Sequence, residues 1–156
     1  MIKLKKLLLP TDFSESARHA FTYAVSFARE YEAALYLLHV VEVMPMGYAG
    51  ELFPESMTQV VDQITGYVRA ELVKLADEAR TRGCAAVHER VERGKPASEV
   101  VRVAQEEAID MIVLGTHGQG VLNRALFGST TDRIMRKAPC PVLVCRRFEH
   151  EFVDEE

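Results

Sequence analysis

The sequence predicts an α/β fold: one domain built on a five-stranded parallel sheet in the order 3-2-1-4-5, with helices on both faces. Three observations carry this. Short apolar runs alternate with stretches of helical period along the chain. Most of those runs are apolar throughout, as strands covered on both faces are. Right-handed crossovers between parallel strands then leave few topologies, of which this doubly wound order is one standard solution. A length of 156 residues suits one domain with a sizeable core. We expect that domain at residues 1–148, followed by an acidic tail at 149–156.

The elements read in order. "LLLP" at 7–10 is the first strand. From Ser14, apolar residues at 17, 20, 21, 24, 25 and 28 make the stripe of an amphipathic helix. "ALYLLHVV" at 34–41 is the second strand, and a loop over 42–56, rich in Met, Gly and Pro, follows it. A long helix then carries Met57, Val60, Val61, Ile64, Val68, Leu72, Leu75 and Ala79 on one stripe and stops near Gly83. Gly66 inside it costs roughly 1 kcal/mol relative to Ala. "AVHERVE" at 86–92 is a half-polar strand suited to a sheet edge. Gly94 and Pro96 turn the chain into a third helix with Ala97, Val100, Val101, Ala104 and Ala108 on one face. "MIVL" at 111–114 is the fourth strand, a helix spans Ser129 to Lys137, and "PVLVC" at 141–145 is the last strand.

The fifth strand is apolar yet falls at an edge, an aggregation hazard unless something pairs with it. A homodimer formed through residues 141–146 is therefore expected, with coverage by a chain end as the alternative. Formal charge is −4, but five acids sit in the last eight residues; without them 18 acids face 19 bases. That near-neutral body gives no nucleic-acid surface. Cys84, Cys140 and Cys145 show no C-x-x-C spacing and read as reduced thiols in apolar segments. The basic-then-apolar start is too short for a signal peptide, and no run approaches a membrane span. The expectation is a cytoplasmic protein with no membrane partner.

Chemistry concentrates in "GTHGQGVLNRALFGST", which follows the fourth strand. In this strand order ligands bind beyond the carboxyl ends of strands 1 and 4, where the winding reverses. The loop is no Walker loop, since no Lys precedes Ser129. Nor is it a dinucleotide fingerprint: Gly118-Gln119-Gly120 continues to Asn123, and it follows the wrong strand. What stands is Gly115-x2-Gly118-x9-Gly128-Ser129. Gly115 and Gly118 admit close backbone approach to a ligand. Gly128, Ser129 and Thr130 open a helix whose free N–H groups and positive dipole end favour phosphate. The competing reading is plain capping, since Ser129-x-x-Asp132 resembles a capping box.

"LLLPTDFSESA", "LLHVV" and "IVLGTHGQGVLNRALFGSTTDRIMRKAPCPVLVC" together resemble the universal stress protein family over nearly the whole chain. Gly-x2-Gly-x9-Gly-Ser is the signature of its ATP-binding members. The resemblance implies the same five-stranded fold, usually dimeric through the last strand, and a bound adenine nucleotide, ATP or AMP, with Mg²⁺ as a candidate companion. It implies that Asp12 meets the ribose or the metal–phosphate region, and is thus the candidate metal ligand. Pro10 and Thr11 would line the adenine pocket, and the Val40 backbone would meet the adenine edge. Gly115, Thr116, His117 and Gly118 would wrap ribose and phosphates, and Gly128, Ser129 and Thr130 would hold the phosphates.

Other readings of these residues stand beside it. Asp12 could cap the first helix with Glu15 three residues on, and His39 reads as a satisfied core histidine. No catalytic residue is assigned; His117 has no predictable acid or base beside it. Arg124 could reach phosphate or simply be solvated, and Asp132 would repel a triphosphate unless it faces away or acts through Mg²⁺. The expected function is a nucleotide-dependent stress-response sensor or regulator, with slow ATP hydrolysis left open. The alternatives are an enzyme of the nucleotide α-hydrolase type or a flavin-binding electron carrier.

Overall fold

The computed structural model describes residues 1–42, 54–116, 127–146 and 153, with main chain only for 54–57. Its elements in chain order are β1 (Lys6–Pro10), α1 (Glu15–Glu30), β2 (Ala34–Glu42), α2 (Pro54–Thr81), β3 (Val87–Gly94), α3 (Pro96–Glu106), β4 (Met111–Gly115), α4 (Ser129–Lys137) and β5 (Val142–Cys145). The five strands form one parallel sheet in the order β3-β2-β1-β4-β5, as the apolar pattern predicts.

Period-two alternation in the central strands sends neighbouring leucines to opposite faces. Leu7, Leu9, Leu35 and Leu37 pack with Ala20, Phe21, Ala24, Val68 and Leu72, from α1 and α2. Leu8, Leu38, Ile112 and Leu114 pack with Val100, Val103 and Ile134, from α3 and α4. Every one of these leucines except Leu114 is fully buried. The half-polar edge strand β3 is tied down by charge: Arg90 bonds Glu92 and Glu107, and Arg102 of α3 reaches Glu92 at 2.7 Å.

Three sequence expectations are corrected. First, α2 begins at Pro54, so the helix includes the end of the expected 42–56 loop. Second, the α2 stripe is shifted: Val60 and Ile64 are 46% and 44% exposed, whereas Thr65, Val68, Leu72, Ala76 and Ala79 are buried. Arg93, next to the last residue of β3, bonds Asp62 and Thr65, which turns the Thr65 side of the helix toward the sheet and leaves Val60 and Ile64 on the outer side. Third, α3 ends at Glu106, and Ala108 lies outside it with φ +51°. The Ala108 and Ile109 amides bond back to the Gln105 and Ala104 carbonyls, closing the helix with a left-handed residue.

Cys84 and Cys145 are buried, Cys140 is half-buried, and none of the three forms a disulfide. Burial pushes the Cys84 and Cys140 thiols above their ordinary range, which disfavours the reactive thiolate. Among the described residues no helix is long and apolar enough to cross a membrane. Met44, Met46, Tyr48 and Phe53 of the expected 42–56 loop, Arg124 and the acidic tail apart from Val153 lie outside the described residues.

Candidate functional site

The strand order places the reversal of winding between β1 and β4, and the end of β4 there lies against the start of α1. On the β1 side, Pro10 ends the strand and the Thr11 N–H donates to the Leu38 carbonyl at 2.8 Å. The chain then turns sharply. Thr11 Oγ1 accepts from the Phe13 N–H at 3.0 Å, and Asp12 Oδ1 accepts from the Ser14 N–H at 3.0 Å. Phe13 has φ +61°, costly for a bulky side chain and tolerated only where surroundings hold it. Ser14, not Asp12, is the N-cap of α1: its Oγ accepts from the Ala17 N–H at 3.2 Å. The capping role considered for Asp12 therefore belongs to its neighbour, and Asp12 shapes the turn that precedes the cap.

On the β4 side, Thr116 and Gly128 are bonded to each other. The Gly128 N–H donates to the Thr116 carbonyl at 2.9 Å, and Thr131 Oγ1 donates to the Gly115 carbonyl at 3.2 Å. These two bonds seat the start of α4 on the end of β4. Gly128 is the N-cap and makes no side-chain cap bond; the first helical bond runs from the Asp132 N–H to the Gly128 carbonyl. Neither Ser129 nor Thr130 is the cap, which removes the capping-box reading. Both are exposed in the first turn, where N–H groups point out of the helix with the positive dipole end. Asp132 is turned along its own helix, its Oδ2 3.0 Å from Arg136 Nε, so its charge is paired.

Gly115 has a reason the sequence did not reveal. A Cβ there would stand 2.3 Å from Ser16 Oγ and 2.6 Å from the Ser16 backbone carbon and oxygen. The glycine lets β4 meet the first turn of α1, locking both sides of the crevice together. His117 and Gly118 lie outside the described residues.

Val40 is half-buried near the end of β2. Before it, His39 is more than a core histidine: its Nδ1 lies 2.8 Å from the Thr11 carbonyl oxygen, and its ring stacks on Phe13 with centroids 5.1 Å apart and planes 13° from parallel. Since a carbonyl only accepts, Nδ1 carries the proton. Burial holds this imidazole below its ordinary pKa, partly offset by the Thr11 carbonyl and the nearby Asp12 charge. The sequence signal for it was one polar residue within an apolar strand, at the end beside the crevice.

A cavity of about 220 Å³ opens behind this turn, on the α1–α2 side, lined by Thr11, Phe13, Phe21 and Leu75. Its charged lining residues are already paired, Arg18 with Glu78 and Lys74 with Glu71. It stands beside the β1–β4 crevice rather than in it. Among the described residues no group of three or more His, Cys, Asp or Glu side chains is arranged to hold a metal ion. Asp12 can offer a single carboxylate, as suits Mg²⁺ bound largely through phosphate oxygens and water.

The universal stress protein family matches residues 3–146. A universal stress protein of Methanocaldococcus jannaschii is 32% identical over 148 residues, covering 94% of this chain and 85% of its own. The solved structure of the universal stress protein UspA from Lactobacillus plantarum superposes with a TM-score of 0.85 at 27% identity, covering 94% of this chain and all of the other. A universal stress protein from Archaeoglobus fulgidus, solved in complex with dAMP, shares the fold at a TM-score of 0.66 and 20% identity, over 92% of this chain and 98% of its own. The chain belongs to the universal stress protein family.

Proposed function

We propose that this chain binds an adenine nucleotide, ATP or AMP, at the β1–β4 crevice and acts as a nucleotide-dependent sensor or regulator in a stress response. The observation that carries the reading is the N-terminus of α4, which has no side-chain cap bond and is seated by the Gly128–Thr116 and Thr131–Gly115 bonds at the reversal of strand winding. Such a terminus favours anions through its unsatisfied N–H groups and a partial positive charge of about half a unit. Ser129 and Thr130 add hydroxyl donors to it.

In this reading Gly115, Thr116, His117 and Gly118 wrap the ribose and phosphates, and Gly128, Ser129 and Thr130 hold the phosphates. Pro10, Thr11 and the Val40 backbone receive the adenine. Asp12 meets the ribose, or joins Mg²⁺ to the phosphates when that ion accompanies the nucleotide. Two distant proteins of this fold lend support through their ligands: one universal stress protein was solved in complex with cAMP and the Archaeoglobus protein with dAMP. The dimer through residues 141–146 belongs to the same proposal. β5 is the sheet edge next to β4 in a single chain, and Val142, Leu143 and Val144 are only half-buried there.

Mass spectrometry of small molecules released from the purified protein tests this, joined to thermal shifts with ATP, ADP, AMP and FMN. A bound adenine nucleotide is expected, with a melting shift of about 5–10 °C at one hundred times Kd. No adenine nucleotide, no ATP or AMP shift and a shift with FMN would instead identify a flavin carrier.

A further inference from the structure

We infer that His39 is a positioning residue for adenine recognition: by taking the Thr11 carbonyl it ends the β1–β2 ladder and leaves the Val40 N–H for the base. This rests on the nucleotide reading above and adds to it a mechanism for reading the base.

The register fixes which backbone groups face which neighbour. Leu35 of β2 turns its N–H to β3, donating to the Ala86 carbonyl at 2.9 Å. Ala34 turns its N–H to the other side, donating to the Lys5 carbonyl at 2.8 Å, and the Thr11 N–H answers with a bond to Leu38. Alternation along a strand then directs the Val40 N–H toward β1 as well. Continuing the Pro10–Leu38 pairing by one rung would hand that N–H to the Thr11 carbonyl. The rung is not made: among the described residues no main-chain bond joins Val40 to Thr11. The His39 ring takes the Thr11 oxygen, and Phe13, left-handed and stacked on the same ring, turns the chain away.

A lone main-chain N–H at the end of a strand is a selective reader. Adenine presents an acceptor nitrogen at ring position 1, whereas guanine carries a hydrogen there. A fixed donor therefore accepts the first and leaves the second with two opposed donors, a mismatch that costs affinity. His39 sets this donor free without touching the base.

The experiment uses ¹⁵N-labelled full-length protein without nucleotide, as wild type, His39→Leu and His39→Asn. Asn Nδ2 stands as many bonds from Cα as His Nδ1, so it can restore the bond to Thr11 while losing the stack. The Val40 amide should exchange at least tenfold faster than the Leu35 amide in wild type and His39→Asn, and slow at least tenfold in His39→Leu as the rung forms. By calorimetry, ATP affinity should fall at least fivefold in His39→Leu, GTP affinity should not, and His39→Asn should recover ATP binding to within twofold. A wild-type Val40 amide as protected as Leu35 overturns the inference, and so does an unchanged ATP affinity in a His39→Leu protein whose rung has formed. Should His39→Leu not fold, the wild-type and His39→Asn exchange rates still decide. Absence of adenine-nucleotide binding by wild type would defeat the functional proposal, while the ligand-free exchange comparison would still judge the diverted rung.

Discussion

At the edge of the sheet where strands begin, the chain answers its own polar groups; at the opposite edge, around β1 and β4, it leaves some open. Below, α1, α2 and α3 each end in a left-handed residue, Glu32, Gly83 and Ala108, followed by a buried Ala33, Cys84 and Ile109. In all three the amides of these two residues bond back to the last-turn carbonyls. Asp110 adds a clasp, its Oδ2 accepting from the Lys5 and Lys6 amides at 2.8 and 2.9 Å, while Lys6 Nζ bonds the Glu107 carbonyl. Above, α4 starts on a glycine with no side-chain cap, and the ladder stops at a carbonyl taken by an imidazole. The difference suggests where to look for function: α3 also starts without a side-chain cap, but only the α4 start is bonded onto the end of a strand at the reversal of winding.

Breaking the open edge should give the largest effect. Gly128→Leu puts a branched side chain at the α4 N-cap and should weaken ATP binding more than a hundredfold by calorimetry, with the circular dichroism spectrum preserved. An unchanged Kd would refute the phosphate role of this turn.

Gly115→Ala breaks the joint between the two sides. Its Cβ meets backbone as well as Ser16 Oγ, so relief requires a shift of β4 or α1. A loss of about 1–3 kcal/mol in denaturant unfolding is expected; no loss would mean the strand and helix separate freely.

Asp110→Ala breaks the closed edge instead. Two amides lose their acceptor, with an expected cost of about 1–2 kcal/mol. ATP affinity should be unaffected, because the clasp is at the far end of the strands, and a parallel loss of affinity would contradict the division between the edges.

Ala108→Gly sharpens the same edge by removing a Cβ from the left-handed region, where L-residues lose about 1–2 kcal/mol. A gain of about 1 kcal/mol in urea unfolding is expected, and destabilisation would show that Ala108 is held there without strain. The smallest effect belongs to Gly66→Ala, at an exposed position of α2. The added Cβ meets nothing within 4 Å, so the helix should gain somewhat under 1 kcal/mol. A loss would show that some other surface uses the glycine.

Much of this molecule was legible in its residues, because period is a local property. The buried strands, the helix from Ser129 to Lys137 and the strand order all follow from where apolar residues fall and from handedness. Gly83 was readable as a helix stop since glycine announces the left-handed conformation. Glu32 and Ala108 were not, since their stop is imposed by the burial of Ala33 and Ile109 afterwards. The shift of the α2 stripe was also hidden: periodicity locates a face, but Val60 and Ile64 are exposed while Thr65 and Val68 are buried, a rotation that only the packed helix shows. At the proposed site, topology pointed to the segments that follow β1 and β4, whose ends the sheet places side by side. Why Gly115 must be glycine, and what His39 does, depend on contacts to Ser16 and Thr11 that only the packed chain brings together.

The most direct test of the difference between the edges is an ATP titration of the ¹⁵N-labelled protein followed amide by amide. The account predicts the largest shifts at Thr11, Asp12, Val40, Thr116, Gly128, Ser129 and Thr130, with the Ala33, Cys84, Ile109 and Asp110 amides unmoved. Shifts confined to the lower edge, or none at saturating ATP, would contradict it.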